Sequence, residues 1–155
     1  MAEPAAVMAV RVLNRLHRKA LRRGRHFKRL SAHERHELRI TLKKLRYAAE
    51  FFLPLVGDTS QAQHYLRRLS GLQDALGLDH DAATTQPLLE EIGRNSRSCA
   101  VHQAIGTVAG WQAREALAVG ETLARRWKRF KAMPPFWADA ALSAERKPRA
   151  AAAAQ

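Results

Sequence analysis

The chain has 155 residues, with 27 Lys or Arg against 14 Asp or Glu and a net charge of +13. That length is enough for one domain with a real core. The single cysteine, Cys99, excludes a disulfide framework or a cysteine zinc site within one chain. The N-terminal stretch has no basic run ahead of an apolar one, and no apolar run approaches a membrane span, so the expectation is a soluble protein of the reducing cytoplasm.

Residues 5–30 are predicted as a first helix. Val10, Leu13, Ala20, Phe27 and Leu30 supply its apolar spacing. Arg11, Arg15, Arg18, Arg22, Arg25 and Arg29 recur at +4, +3, +4, +3, +4 as one unbroken row. At ~1.5 Å per residue that row is ~27 Å long. Like charges at i,i+4 destabilise a helix, so the row asks for a compensating anion or for water and salt. Gly24 weakens the helix locally.

The second helix, residues 33–56, is the element around which the chain is organised. Leu38, Leu42, Leu45, Ala49, Phe52 and Val56 make an apolar stripe, and His36, Arg39, Lys43, Arg46 and Glu50 make a stripe beside it. Ile40, Tyr47, Phe51 and Leu55 lie beyond the charges. A cationic row between two buried faces resembles the wall of a groove for an anion; the plain alternative is a solvated stripe. Ser31-x-x-Glu34 reads as a capping box, Gly57 as the stop, and Pro54 as a kink or an early end in the last turn.

Asp58, Thr59 and Ser60 offer caps for a third helix, 60–76, with Tyr65, Leu66, Leu69, Leu72 and Leu76 as packing residues. A turn is expected at Gly77 to Asp81, with Asp79 and Asp81 as caps, then a fourth helix over 82–94 and a break at Arg94-Asn95-Ser96. A fifth helix is predicted over 97–131. Its last turns carry Arg125, Arg126, Lys128, Arg129 and Lys131, which suit a helix C-terminus and extend the basic surface. Pro134-Pro135 stops it, and Phe136 and Trp137 fold back on the bundle. The three tryptophans read as core or closing contacts. No stretch alternates at period 2 long enough for a sheet. The expected fold is therefore all-α, an antiparallel four- to five-helix bundle over 5–138 with a disordered tail at 143–155.

Charge is unevenly placed. Residues 11–46 hold 14 Lys or Arg and two Glu, a net +12; residues 47–123 hold five basic and nine acidic residues, a net −4. Such asymmetry implies a polyanionic partner: nucleic acid, polyphosphate or an acidic surface.

His36-x-x-Arg39-x-x-x-Lys43-Lys44-Leu45-Arg46-Tyr47 resembles the signature of the CHAD domain, the conserved histidine α-helical domain. Leu72-Gln73-Asp74-Ala75-Leu76-Gly77 with Asp81 is similar to a second segment of that family, and Trp127-x-x-Phe130 and Phe136-Trp137 fit its close. The resemblance implies a helical domain of two pseudo-symmetric bundles whose basic helices face a central cavity that binds inorganic polyphosphate without catalysis. It implies that His36, Arg39, Lys43 and Arg46 are cavity residues, with Lys44 in the motif but projecting at another angle. Arg15, Arg18, Arg22 and Arg25 of the first helix and Arg129 of the last join the expected site on the stripe argument alone. The resemblance is to the C-terminal half, and no second copy of the pattern stands upstream. A complete cavity would then take a homodimer or a partner protein supplying the other half.

The chemistry suits phosphate or sulfate. Guanidinium binds oxygens bidentately and ammonium is a compact point charge. His36 adds charge as pH falls. Neither a metal nor another cofactor is expected. The rival reading is non-specific nucleic-acid binding through phosphates, since no helix-turn-helix, zinc finger or aromatic platform is present. A phosphohydrolase built on His80-Asp81 ranks lower because metal hydrolysis needs more converging groups than the sequence offers, and a phosphotransfer role for His36 because a ring among a row of cations is poorly disposed to accept and then release a phosphoryl group. Targeting to polyphosphate granules is a further role that the residues do not separate from storage or regulation.

Overall fold

The computed structural model describes residues 4–57 and 59–138. Helix α1 spans Ala5–Arg23, a 3-10 turn Phe27–Arg29, α2 Ala32–Val56, α3 Ser60–Asn95 and α4 Cys99–Lys131. The fold is all-α, with no strand among the described residues. The expected tail at 143–155, and Asp58, lie outside them.

The core stripe of α2 is as expected: Leu38, Leu42, Leu45, Ala49, Phe52 and Val56 are all buried. Each large side chain of this kind contributes ~1.5–3 kcal/mol when fully buried. The capping box forms, with Glu34 N–H donating to Ser31 Oγ at 3.2 Å and Ser31 N–H donating to Glu34 Oε2 at 2.7 Å. These bonds hold the Glu34 carboxyl below its ordinary range, the bond from the Ser31 backbone contributing most. Helix α2 runs through Pro54 and ends at Gly57, whose φ of 102° suits only glycine comfortably. Thr59 caps α3 by accepting from Ala62 N–H.

Two predicted helix boundaries are corrected. Helix α1 stops at Arg23, not at residue 30, so the arginine row breaks after Arg22 and Arg25 and Arg29 sit on the following turn. The cause is Trp127 of α4. A methyl group at Gly24 would lie 2.1 Å from the Trp127 Cζ2, and the Phe27 ring stacks on Trp127 at 5.3 Å. The chain leaves the helix to let that indole in. The expected turn at 77–81 does not form either. Residues 60–95 are one helix, and Asp79 is not a cap but the partner of Arg35, 2.7 Å away.

The core is built from α1, α2, the first half of α3, the end of α4 and the closing Phe136 and Trp137, which fold back as expected. Trp137 is fully buried and its Nε1 donates to Asn14 Oδ1 at 2.9 Å. His17 meets Tyr65, Phe130 and Trp137 edge to face around this closure, as Tyr65 meets Trp137, while Tyr65 and Phe130 are tilted against each other. Burial pushes the Tyr65 phenol well above its ordinary value and the His17 imidazole below its own.

Beyond this core, α3 and α4 continue as a paired arm. Between residues 78 and 122 no described side chain is buried. The two helices touch where Gly93 faces His102 and Ile105. Trp111, expected as a core or closing contact, and Leu117 are 63% and 76% exposed on this arm. The far flank of α2 is also open, contrary to the two-sided burial expected: Tyr47, Phe51 and Leu55 are exposed.

Candidate functional site

The cationic stripe of α2 faces α3 rather than α1. Arg39, Lys43, Arg46 and Tyr47 line a cavity of about 490 Å³ whose other wall is Gln73, Asp74, Gly77, Leu78 and Asp81. The two conspicuous sequence segments therefore meet across one space. Leu72, Ala75 and Leu76 anchor the α3 segment in the core, and Gln73 and Asp74 line the space opposite α2.

Lys43 and Arg46 are positioned by neighbours. The Gln73 amide accepts from Arg46 Nε at 3.1 Å and donates to the Leu42 carbonyl at 2.8 Å. Arg46 Nη1 also pairs with Glu50 at 3.0 Å. The Tyr47 ring lies under both Arg46, 4.8 Å from its centroid, and Lys43, 5.7 Å away. Such contacts restrict the heads without neutralising them. The Arg39 guanidinium passes beside Gly77, where an added methyl group would meet it at ordinary van der Waals distance, 3.6 Å. Two carboxylates, Asp74 and Asp81, stand at the rim, so the lining carries three positive and two negative side chains.

His36 does not line this cavity. Its ring lies against His80 of α3, centroids 4.3 Å apart, and its buried Nδ1 has no hydrogen-bond partner among the described residues. Lys44 is exposed and is absent from the lining. The other expected site residues are not brought to this space. Arg15 and Arg18 are exposed on α1, and Arg18 Nε donates to the Asn14 carbonyl. Arg22 and Arg25 line a separate cavity with His33, Glu34 and Glu37, and Arg129 lies in another with Arg67, Arg68 and Arg126. A single groove lined by the first two helices is thus replaced by an α2–α3 cavity and separate basic clusters.

The residues that sequence reasoning left out are Gln73, Gly77 and Tyr47. All three stand inside the quoted motif segments, but nothing in a neutral side chain or a glycine announced a role until its partner was known. Among the described residues no three His, Cys, Asp or Glu side chains converge as a metal-ligand set. No described helix is long and apolar enough to cross a membrane.

A family model, that of the CHAD domain, matches residues 1–90. This stretch takes in α1, α2 and α3 through the cavity wall. No curated protein and no solved structure matches the chain.

Proposed function

The chain belongs to the CHAD domain family, and on that premise we propose that it is a non-catalytic module that binds inorganic polyphosphate in the α2–α3 cavity. The observation that carries the reading is the placement of Arg39, Lys43 and Arg46. They project at +4 and +3 from one rigid helix, and Gln73 and Tyr47 restrict the heads of Arg46 and Lys43 before any ligand arrives. Ordering long cationic side chains costs ~0.5–1.5 kcal/mol each on binding, and prior restraint reduces that cost. Phosphate oxygens match both head types. Lys44, one residue from Lys43, supplies an outer contact, and His36 supports the wall at the N-terminal end of the stripe.

A second copy of the chain is proposed to cover Tyr47, Phe51 and Leu55, the open apolar flank next to the cavity. That contact would set a second cationic wall opposite the first, as an isologous interface does. Association with polyphosphate granules in the cytoplasm follows from the same binding.

The deciding experiment is a titration of long-chain inorganic polyphosphate against duplex DNA of matched charge. Polyphosphate is expected to bind more tightly, with affinity falling steeply as salt rises because bound counterions are released. Arg39→Ala, Lys43→Ala and Arg46→Ala should each weaken binding with the helix content intact. Equal or tighter binding of DNA would transfer the protein to the nucleic-acid reading.

A further inference from the structure

The cavity between α2 and α3 leaves the charge around the turn after α1 without a role. Arg25, His26 and Arg29, on the turn after α1, line two adjoining cavities of about 500 and 560 Å³. Lys128 and Lys131 from the last turns of α4 complete the first, and no carboxylate lines it. Arg22 and His33 extend the second, which also contains Glu34 and Glu37. Both acids are already engaged, Glu34 in the capping box and Glu37 with Arg23 Nη2 at 2.7 Å. Arg22, Arg25, Arg29, Lys128 and Lys131 form no ion pair among the described residues.

This concentration of unpaired charge is fixed by packing. Trp127 is only 5% exposed, sandwiched between the stacked Phe27 ring and the bare backbone of Gly24. The turn cannot swing away to relieve repulsion among its cations without uncovering the indole. Like charges held together in this way lower the cost of bringing in an anion.

We infer that the turn after α1 and the end of α4 form a second phosphate-binding site, distinct from the α2–α3 cavity, for the same class of oligo- or polyphosphate ligand. The ligand class rests on the proposed function; the location does not. Trp127 is buried against Phe27 and Phe130, so its indole offers no face to a nucleobase, and the cations around it recognise phosphate oxygens. A chain long enough to reach both sites gains from two-point attachment, whereas a short one fills each site independently.

Calorimetry of the full chain with inorganic tripolyphosphate tests this directly. Two equivalents are expected per chain. Arg25→Ala/Arg29→Ala/Lys128→Ala should lose one, Arg39→Ala/Lys43→Ala the other, and either set should weaken long-chain polyphosphate by about tenfold or more. Lys128→Ala/Lys131→Ala, confined to exposed positions of α4, carries the test if the triple variant loses helix content. A single equivalent that survives the turn variants and disappears with Arg39→Ala/Lys43→Ala overturns this inference and leaves the proposed function standing. A single equivalent with the opposite sensitivity keeps the inference and removes the α2–α3 cavity as the binding site. Displacement of tripolyphosphate from the turn site by duplex DNA at lower phosphate concentration overturns the ligand class.

Discussion

Gln73 and Arg46 are joined by a 3.1 Å hydrogen bond that crosses from α3 to α2, and Gln73 is itself pinned to the Leu42 carbonyl. The amide thus accepts on one side and donates on the other, so its orientation is set by two partners of opposite kind. Gln73 holds Arg46 at the cavity wall without adding a counter-charge to the one that Glu50 already supplies at Nη1.

Replacing Gln73 separates orientation from charge. Gln73→Leu keeps the volume but removes both bonds, and polyphosphate affinity is expected to fall severalfold while stability drops by ~1 kcal/mol. Gln73→Glu should weaken binding further, because a carboxylate beside Arg46 neutralises it. Equal affinities for wild type and both variants, measured by titration calorimetry, would show that Arg46 needs no positioning.

The rim carboxylates oppose an anion. Asp74→Asn and Asp81→Asn should each tighten polyphosphate binding, by a factor of about two to five at low ionic strength, with the gain shrinking as salt screens the repulsion. The affinity ratio to wild type at about 20 and about 300 mM salt, between which the Debye length shrinks roughly fourfold, provides the check.

His17 predicts a pH dependence of stability. Burial lowers its affinity for a proton below the ordinary value of 6.5. The unfolded chain therefore binds the proton more readily than the folded one. The contribution is complete above about pH 6.5 and is lost as pH falls below it toward the folded value. The urea midpoint should decline between pH 7 and pH 5, before the loss of the Glu34 cap, which belongs below its ordinary 4.5. His17→Phe should flatten this segment of the profile; an unchanged slope would assign it to other groups.

Assembly should depend on anions. Tyr47, Phe51 and Leu55 form an exposed flank beside the cations, so a second copy gains apolar burial but meets like charge. Dimerisation is expected to strengthen with sulfate or polyphosphate and to weaken without them. Light scattering in the two buffers, repeated with Phe51→Glu, distinguishes this from a strict monomer.

What could be read from the sequence was local and periodic. The buried stripe of α2, the Ser31–Glu34 cap and the stop at Gly57 all follow from spacing within one helix. The end of α1 did not, because its cause is Trp127, far along the chain, and a lone glycine inside a periodic pattern is tolerated at ~1 kcal/mol. The continuity of α3 was hidden in the same way: Asp79 and Asp81 look like caps until Arg35 is known to sit beside Asp79. Periodicity showed that Tyr47, Phe51 and Leu55 share a face, but it does not show how many layers cover that face. The site was half legible. The α2 cations stood out by charge, whereas the α3 wall works through the neutral amide of Gln73. The arginine row of α1 was assigned to the same groove because a helix wheel places residues around one axis and says nothing of which neighbour each side faces.

The continuity of α3 also bears on how the molecule opens. Residues 60–77 and 78–95 belong to one helix, yet the first half carries Tyr65, Leu69, Leu72 and Leu76 into the core, while none of the described side chains of the second half is buried. Backbone hydrogen bonds of identical geometry are thus backed by very different amounts of packing. Amide protons near Leu69 should exchange with deuterium only through global unfolding, and those near Leu88 through openings of the arm alone, several kcal/mol cheaper. Protection is expected to fall along α3 past Gly77 and to rise again along α4 toward Leu123. The base of the arm carries Leu78 and Asp81 of the cavity wall, so occupancy by a polyanion should extend slow exchange outward by the turn that holds them.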